Sequence, residues 1–292
     1  MLPDSAAIQY HTDFSEEIPR TDVAVTLVSR DKMRFRVRGS VLKAASGVFE
    51  TTLSLPQAEG DAHGDAVIDN LDEDAATIEG LLRMITAQGL PPLDTIDAIE
   101  PLVFAAEKWD MPGPLSILRR ILRMDLSIVS KDPMSLYLLG CRLKWTDISD
   151  LASTYTRNAD ILYQPELMPV LKALDSEDLL RLMKFHRGRR DYLQVIFDGP
   201  EYRRLICMHR SHYFDLRSRC LTFIDQNPPA RPPSEAILRD MIQRLVGVEG
   251  CHSYGCSAVS DLDRLGDHIA PLLLAQWEGL PQNISKFEVS QL

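Results

Sequence analysis

The 292-residue chain contains no apolar run near the roughly eighteen residues that would make a candidate membrane span. Its opening, MLPDSAAIQYHTDFSEE, lacks the basic start and apolar stretch of an export signal. These absences point to an intracellular protein of cytoplasm or nucleus, with no membrane partner. Cysteine is scarce as well: five residues, an odd number spread widely, read as free thiols in a reducing compartment rather than a disulfide framework. The signatures of common chemistries are also missing. There is no Gly-rich phosphate loop, no G-x-G-x-x-G after a strand, no G-x-S-x-G elbow and no H-E-x-x-H. The seven histidines are scattered and so are the carboxylates, which on helix faces usually means solvated charge rather than an acid–base pair. No catalytic residue and no cofactor are therefore expected. Positive charge is in deficit too, because the net charge of −10 repels nucleic-acid phosphate and anionic membrane unless basic residues gather on one face.

What the chain does have is globular composition, 45% hydrophobic and 25% charged, with length for two modest domains. Val23–Ser29 and Met33–Arg38 alternate with period two around a polar turn at Arg30, Asp31 and Lys32, the pattern of a β-hairpin. Val41, Leu42, Ala45, Val48, Phe49, Leu53 and Leu55 then recur at helical spacing, and Gly47 divides them into two short helices expected to pack on one face of the hairpin. Ala66–Asp69 reads as a short strand. Asp72 or Asp74 is placed to cap a helix carrying Ile78, Leu81, Leu82 and Ile85. A further helix over Pro101–Met111 must stop before Pro112, and Pro114 suits the first turn of the next, through Leu118, Ile121 and Leu122. From Asp132 to about Asp198 the pattern is helical throughout, in three segments opened by Asp, Thr or Ser. PPARPP, Pro228–Pro233, marks a stiff break, followed by a helix over Ala236–Val246 and a Cys- and Gly-containing loop.

Phe35, Val37, Val41, Leu42, Ser46 and Phe49, followed by a short strand and L-L-x-x-I, then Ala105, Ala106, Lys108, Trp109 and Met111, carry a resemblance. In that order and spacing they resemble the BTB/POZ domain, in the form found in many fungal proteins with a helical region behind it. The resemblance covers roughly residues 22–126. GCRLKW and the helices around it look like the BACK-like extension behind many such domains. The resemblance implies an α+β BTB/POZ fold, a small sheet flanked by helices, followed by an all-α C-terminal region. The division expected is an N-terminal segment 1–21, the BTB/POZ domain 22–126, the helical extension 127–226, and a Pro-rich break with a C-terminal region 227–292. In the family the strand-to-helix corner carries a His followed by Lys or Arg, with an Asp in the first strand. Here Arg38, Gly39 and Ala24 stand at those places, so the charged pocket is expected to be absent. Loss of acid and base together is physically coherent, since a half-buried charge without its partner is costly. Arg38 then either points its head to water over an apolar stem or serves an interface.

The function implied is protein–protein interaction: dimerisation through a self-complementary apolar patch, or docking of another protein. The N-terminal Ile8, Tyr10 and Phe14 are the candidate partner surface together with Arg38, because family members often lay an N-terminal segment against the partner; the alternative is a disordered tail. Many BTB proteins serve as adaptors of cullin-type ubiquitin ligases, and that role is implied by analogy alone. Two other readings stand beside this one. KFHRGRR, Lys184–Arg190, is the densest basic run, and a DNA-associated regulator would use Arg187, Arg189 and Arg190. The run nevertheless lies within an amphipathic helix whose wet face it suits. Cys207, His209, His212 and Cys220, with Cys251, His252 and Cys256, allow a zinc staple drawing two ligands from each stretch; ordinary thiols and surface histidines fit the same residues, and no metal ligand is assigned.

Overall fold

The computed structural model describes residues 9–19, 22–55, 66–69, 71–156, 161 and 164–197, with 236, 239–240, 271, 274–275 and 283–286; the side chains of 189–190 and 192–197 are excepted. The chain is α+β and mostly helical, and it divides into two compact units, 1–132 and 133–292. That division falls a few residues beyond the junction after Leu126 expected from the sequence. None of the described helices is long and apolar enough to cross a membrane.

The first unit is built on a three-stranded sheet in the order β2-β1-β3, with β1 Ala24–Val28, β2 Arg34–Arg38 and β3 Ala66–Ile68. The hairpin forms as expected: β1 and β2 are antiparallel with Leu27 opposite Phe35, and Lys32 takes the left-handed conformation (φ 69°) that closes the turn. Every residue of β1 is buried, whereas β2 alternates, with Phe35 and Val37 inward and Arg34, Arg36 and Arg38 on the opposite face. β3 joins β1 in parallel, with Thr26 opposite Val67.

Helices α1 (Gly39–Ala45) and α2 (Gly47–Thr52) follow the hairpin directly. The break between them falls at Ser46, one residue before the glycine expected to make it. Ser46 is extended, and its hydroxyl accepts from the Phe49 N–H, which makes it the N-cap of α2. Leu42 and Phe49 are buried, but Val48 and Leu55 are exposed; the periodicity counted more residues inward than a six-residue helix has room to bury. Asp74, rather than Asp72, caps α3 (Ala75–Ile85) through the Thr77 N–H. Helix α4 (Ile96–Lys108) starts five residues before Pro101, on a Thr95 cap. A proline in the second turn forfeits one backbone bond, and the burial of Ile96 and Ile99 offsets it. Helix α5 (Pro112–Met124) begins at Pro112 and keeps Pro114 in its first turn. A short α6 (Leu126–Lys131), unforeseen in the sequence, closes the unit, capped by Asp125.

The second unit is helical where described: α7 (Pro133–Arg142), α8 (Thr146–Thr156), α9 (Met168–Ala173) and α10 (Ser176–Phe197). Helices α7 and α8 pack closely, because Gly140 faces the Ser149 backbone, where an added Cβ would come within 2.7 Å of the Ser149 nitrogen. The PPARPP break, most of the helix after it and the Cys and His residues weighed for zinc lie outside the described residues.

Candidate interaction surface

The strand-to-helix corner is the first place to look, because there β2 hands over to α1. Arg38 is exposed and is the N-cap residue of α1, though its side chain makes no capping bond. Gly39 is buried, and its N–H donates to the Val23 carbonyl at 2.7 Å. An added Cβ there would lie 3.0 Å from that same oxygen, so a longer residue has little room. Ala24 is buried in β1, and an acid lies two residues before it. That acid, Asp22, turns its carboxylate to the start of α1, accepting from the Ser40 N–H at 3.2 Å and from the Ser40 hydroxyl. The Ser40 hydroxyl, with the backbone donors and nearby Arg38, holds this carboxyl below the usual aspartate range. The corner is therefore a capped helix start with Asp22 and Arg38 beside it.

The N-terminal segment is tied to the same sheet. Tyr10 forms an isolated parallel bridge to Arg34 on the edge of β2: the Arg34 N–H donates to the Gln9 carbonyl at 3.0 Å, and the His11 N–H to the Arg34 carbonyl at 2.8 Å. Tyr10 keeps 41% of its surface exposed, while Phe14 is 5% exposed and is buried inside its own chain. The Phe14 ring lies 5.9 Å from Phe35, and the His11 ring stacks on Phe35 at 5.1 Å. Around them His11 Nε2 lies 3.3 Å from Glu79, Arg83 bonds Glu79 at 2.7 Å, and Arg83 also pairs with Asp13. Of the candidate N-terminal residues, Tyr10 thus faces outward, Phe14 does not, and Ile8 lies outside the described residues.

Lys108 was identified in the sequence only as a motif residue. Its ammonium bridges Asp72 and Glu73, both at 2.9 Å, and these contacts raise its pKa, Glu73 contributing most. Next to it the two motif stretches meet. The Phe49 ring packs edge-on against Trp109 at 5.4 Å, the Ser46 hydroxyl donates to the Trp109 carbonyl, and the Gly47 N–H donates to the Asp110 carbonyl at 3.1 Å.

In the second unit, Lys184 and Arg187 of the basic run are exposed, and Arg187 lies 3.6 Å from Asp191. His186 turns inward to the Thr156 hydroxyl at 3.1 Å, so the run is not a uniform basic face. The side chains of Arg189 and Arg190 lie outside the described residues. Cys141, the free cysteine among the described residues, sits by Tyr137 and Asp178, and burial pushes its thiol up to about 12. Among the described residues no group of three or more His, Cys, Asp or Glu is arranged to hold a metal ion. Compared with protein-family models and with curated proteins, the chain matches neither.

Proposed function

We propose that this chain is a protein–protein interaction module of the BTB/POZ type, whose first unit forms a two-fold homodimer or docks a partner, with a BACK-like helical region behind it. One observation carries the reading. The residues bearing the resemblance come from two stretches, 35–49 and 105–111, and Phe35, Val37, Leu42, Ser46, Phe49, Ala105, Ala106, Trp109 and Met111 are all buried in the first unit. Ser46 and Phe49 of the first stretch meet Trp109 of the second directly. Recruitment to a cullin-type ligase rests on the resemblance alone.

Such a module works by burying apolar surface at a self-complementary patch, and a stable dimer commonly removes about 800 Å² or more from each partner. Light scattering behind a sizing column tests this. A mass near twice the 32.9 kDa chain that persists on dilution is the expected result. A monomer at every concentration overturns the homodimer and leaves docking of a different protein.

A further inference from the structure

β2 ends the three-stranded sheet, so its outer edge offers backbone groups to one more strand. The chain's own residues 9–14 take that place. The Arg34 N–H donates to the Gln9 carbonyl, the His11 N–H donates to the Arg34 carbonyl, and Tyr10 pairs with Arg34 in parallel. Beyond this bridge Phe14 is buried against Phe35, His11 stacks on the same ring, and Asp13 pairs with Arg83 of α3. The hold is short, because Ser15, Glu16, Glu17 and Pro19, which lead on from it, are exposed. Phe35 is fully buried, and two of the rings that cover it, His11 and Phe14, belong to the segment. Glu79, one turn back on α3, also bonds Arg83 at 2.7 Å and so holds the guanidinium in place independently of Asp13. Lifting the segment would uncover a strand edge, an aromatic ring and an arginine, which together are the parts of a groove for an extended peptide.

We propose that this groove is a peptide-docking site, and that residues 9–14 are its built-in occupant, which an extended segment of another protein displaces. The seated segment states the chemistry such a partner needs: a strand parallel to β2, carrying an acid for Arg83 and, at the next position, an aromatic ring for Phe35. An acid is admitted because Asp13 already sits on Arg83 in a chain of net charge −10. A second copy is the poorer occupant, since exchanging identical segments makes the same contacts and gains none. The tether sets the threshold. Joined to β1 through residues 15–23, the segment competes at an effective concentration on the order of millimolar, so a free peptide enters only when it binds more tightly or when the segment is weakened. This inference deepens the interaction-module reading and rests on it.

Fluorescence anisotropy with full-length chains and three labelled peptides tests the proposal: QYHTDFSEE, copied from residues 9–17, a peptide that keeps Asp-Phe and has Thr elsewhere, and one with Lys-Ser in place of Asp-Phe. The Asp13→Ala, Phe14→Ala chain, whose segment is weakened, is expected to bind both Asp-Phe peptides about tenfold or more tighter than the unaltered chain, and the Lys-Ser peptide not at all. Adding Arg83→Ala is expected to weaken that binding by about tenfold. In the unaltered chain, millimolar Thr-based Asp-Phe peptide should speed amide exchange at His11, whose N–H is released with the segment; this readout serves even where the double variant misfolds. Equal binding by the two chains, indifference to the Lys-Ser exchange, or no binding to a double variant with unchanged circular dichroism would each overturn the proposal. A double variant that ignores the peptides and pairs with a second copy would overturn the foreign partner. A chain that is dimeric by light scattering but whose double variant ignores the peptides rejects this groove and keeps the module. A monomer whose double variant binds them keeps the groove and rejects the homodimer.

Discussion

Both units use exposed carboxylates to accept from backbone N–H groups, Asp175 and Asp150 doing so in the second unit, but among the described residues only the second encloses a carboxylate beside a buried tyrosine and a thiol. In the first unit, carboxylates sit at the surface and accept from backbone N–H groups: Asp22 at the start of α1, Asp31 to the Ala75 N–H, and Asp125 at the start of α6. All three are held below the ordinary aspartate range, by the hydroxyls of Ser40, Ser29 and Ser127 first and by backbone donors as well. In the second unit Asp178 lies half-buried near Cys141 and Tyr137, and burial raises its pKa. Tyr137 is buried too, its hydroxyl donating to the Asp178 carbonyl at 3.2 Å. Helix starts in both units offer free N–H groups that carboxylates cap, while the contact of α7 with α10 leaves Asp178, Tyr137 and Cys141 partly enclosed.

The contrast is broken most directly at the junction of the two motif stretches. Trp109→Ala removes a buried indole packed edge-on against the Phe49 ring, and it should destabilise the first unit by about 3–5 kcal/mol. Urea denaturation followed by circular dichroism measures this, and a loss below about 1 kcal/mol would mean the junction does not hold the unit together.

In the second unit the comparable test is Gly140→Ala, which sets a methyl group against backbone rather than a yielding side chain. A loss of about 1–3 kcal/mol is expected there. Gly113→Ala in α5, where an added Cβ meets nothing within 4 Å, should change stability by less than about 1 kcal/mol, toward greater stability. Equal thermal shifts for the two glycines would argue against the close approach of α7 and α8.

A further test concerns charge. Asp22→Ala removes the side-chain cap of α1 and should cost about 0.5–2 kcal/mol. The pH dependence carries the sharper sign. Because Asp22, Asp31 and Asp125 are lowered in the folded state, their contribution is present above the unfolded value near 3.8 and is lost as pH falls through the folded values below it. Asp178 is raised, so its charge opposes folding at neutral pH, and that penalty is relieved as pH falls through a folded value above 3.8. Amide exchange read separately in α1 and α10 should show α10 gaining protection between neutrality and about pH 4, before α1 loses protection below that. Loss of protection in both helices over one pH range would remove the distinction.

Much of this was legible locally. The hairpin shows as period-two alternation and its turn as Arg30, Asp31 and Lys32, while the caps at Asp74 and the start at Pro112 follow from backbone chemistry a few residues long. Among the candidate residues, Tyr10 and Arg38 face outward, whereas Phe14 turns inward to Phe35. The cap supplied by Asp22 went unseen because its partner Ser40 is eighteen residues away, across a hairpin whose register was not yet known. A search for acids opposite helix starts, once the hairpin was paired, would have found it.

Residue spacing by itself determined where this chain alternates and where it winds, because period and capping depend on neighbours within one or two turns. Only the tertiary structure decided what those elements meet: the Ser46 hydroxyl on the Trp109 carbonyl, Arg83 on Asp13, and Phe14 on Phe35. Such contacts join residues tens of positions apart. Their energy depends on three-dimensional register and burial, which no short window of sequence contains.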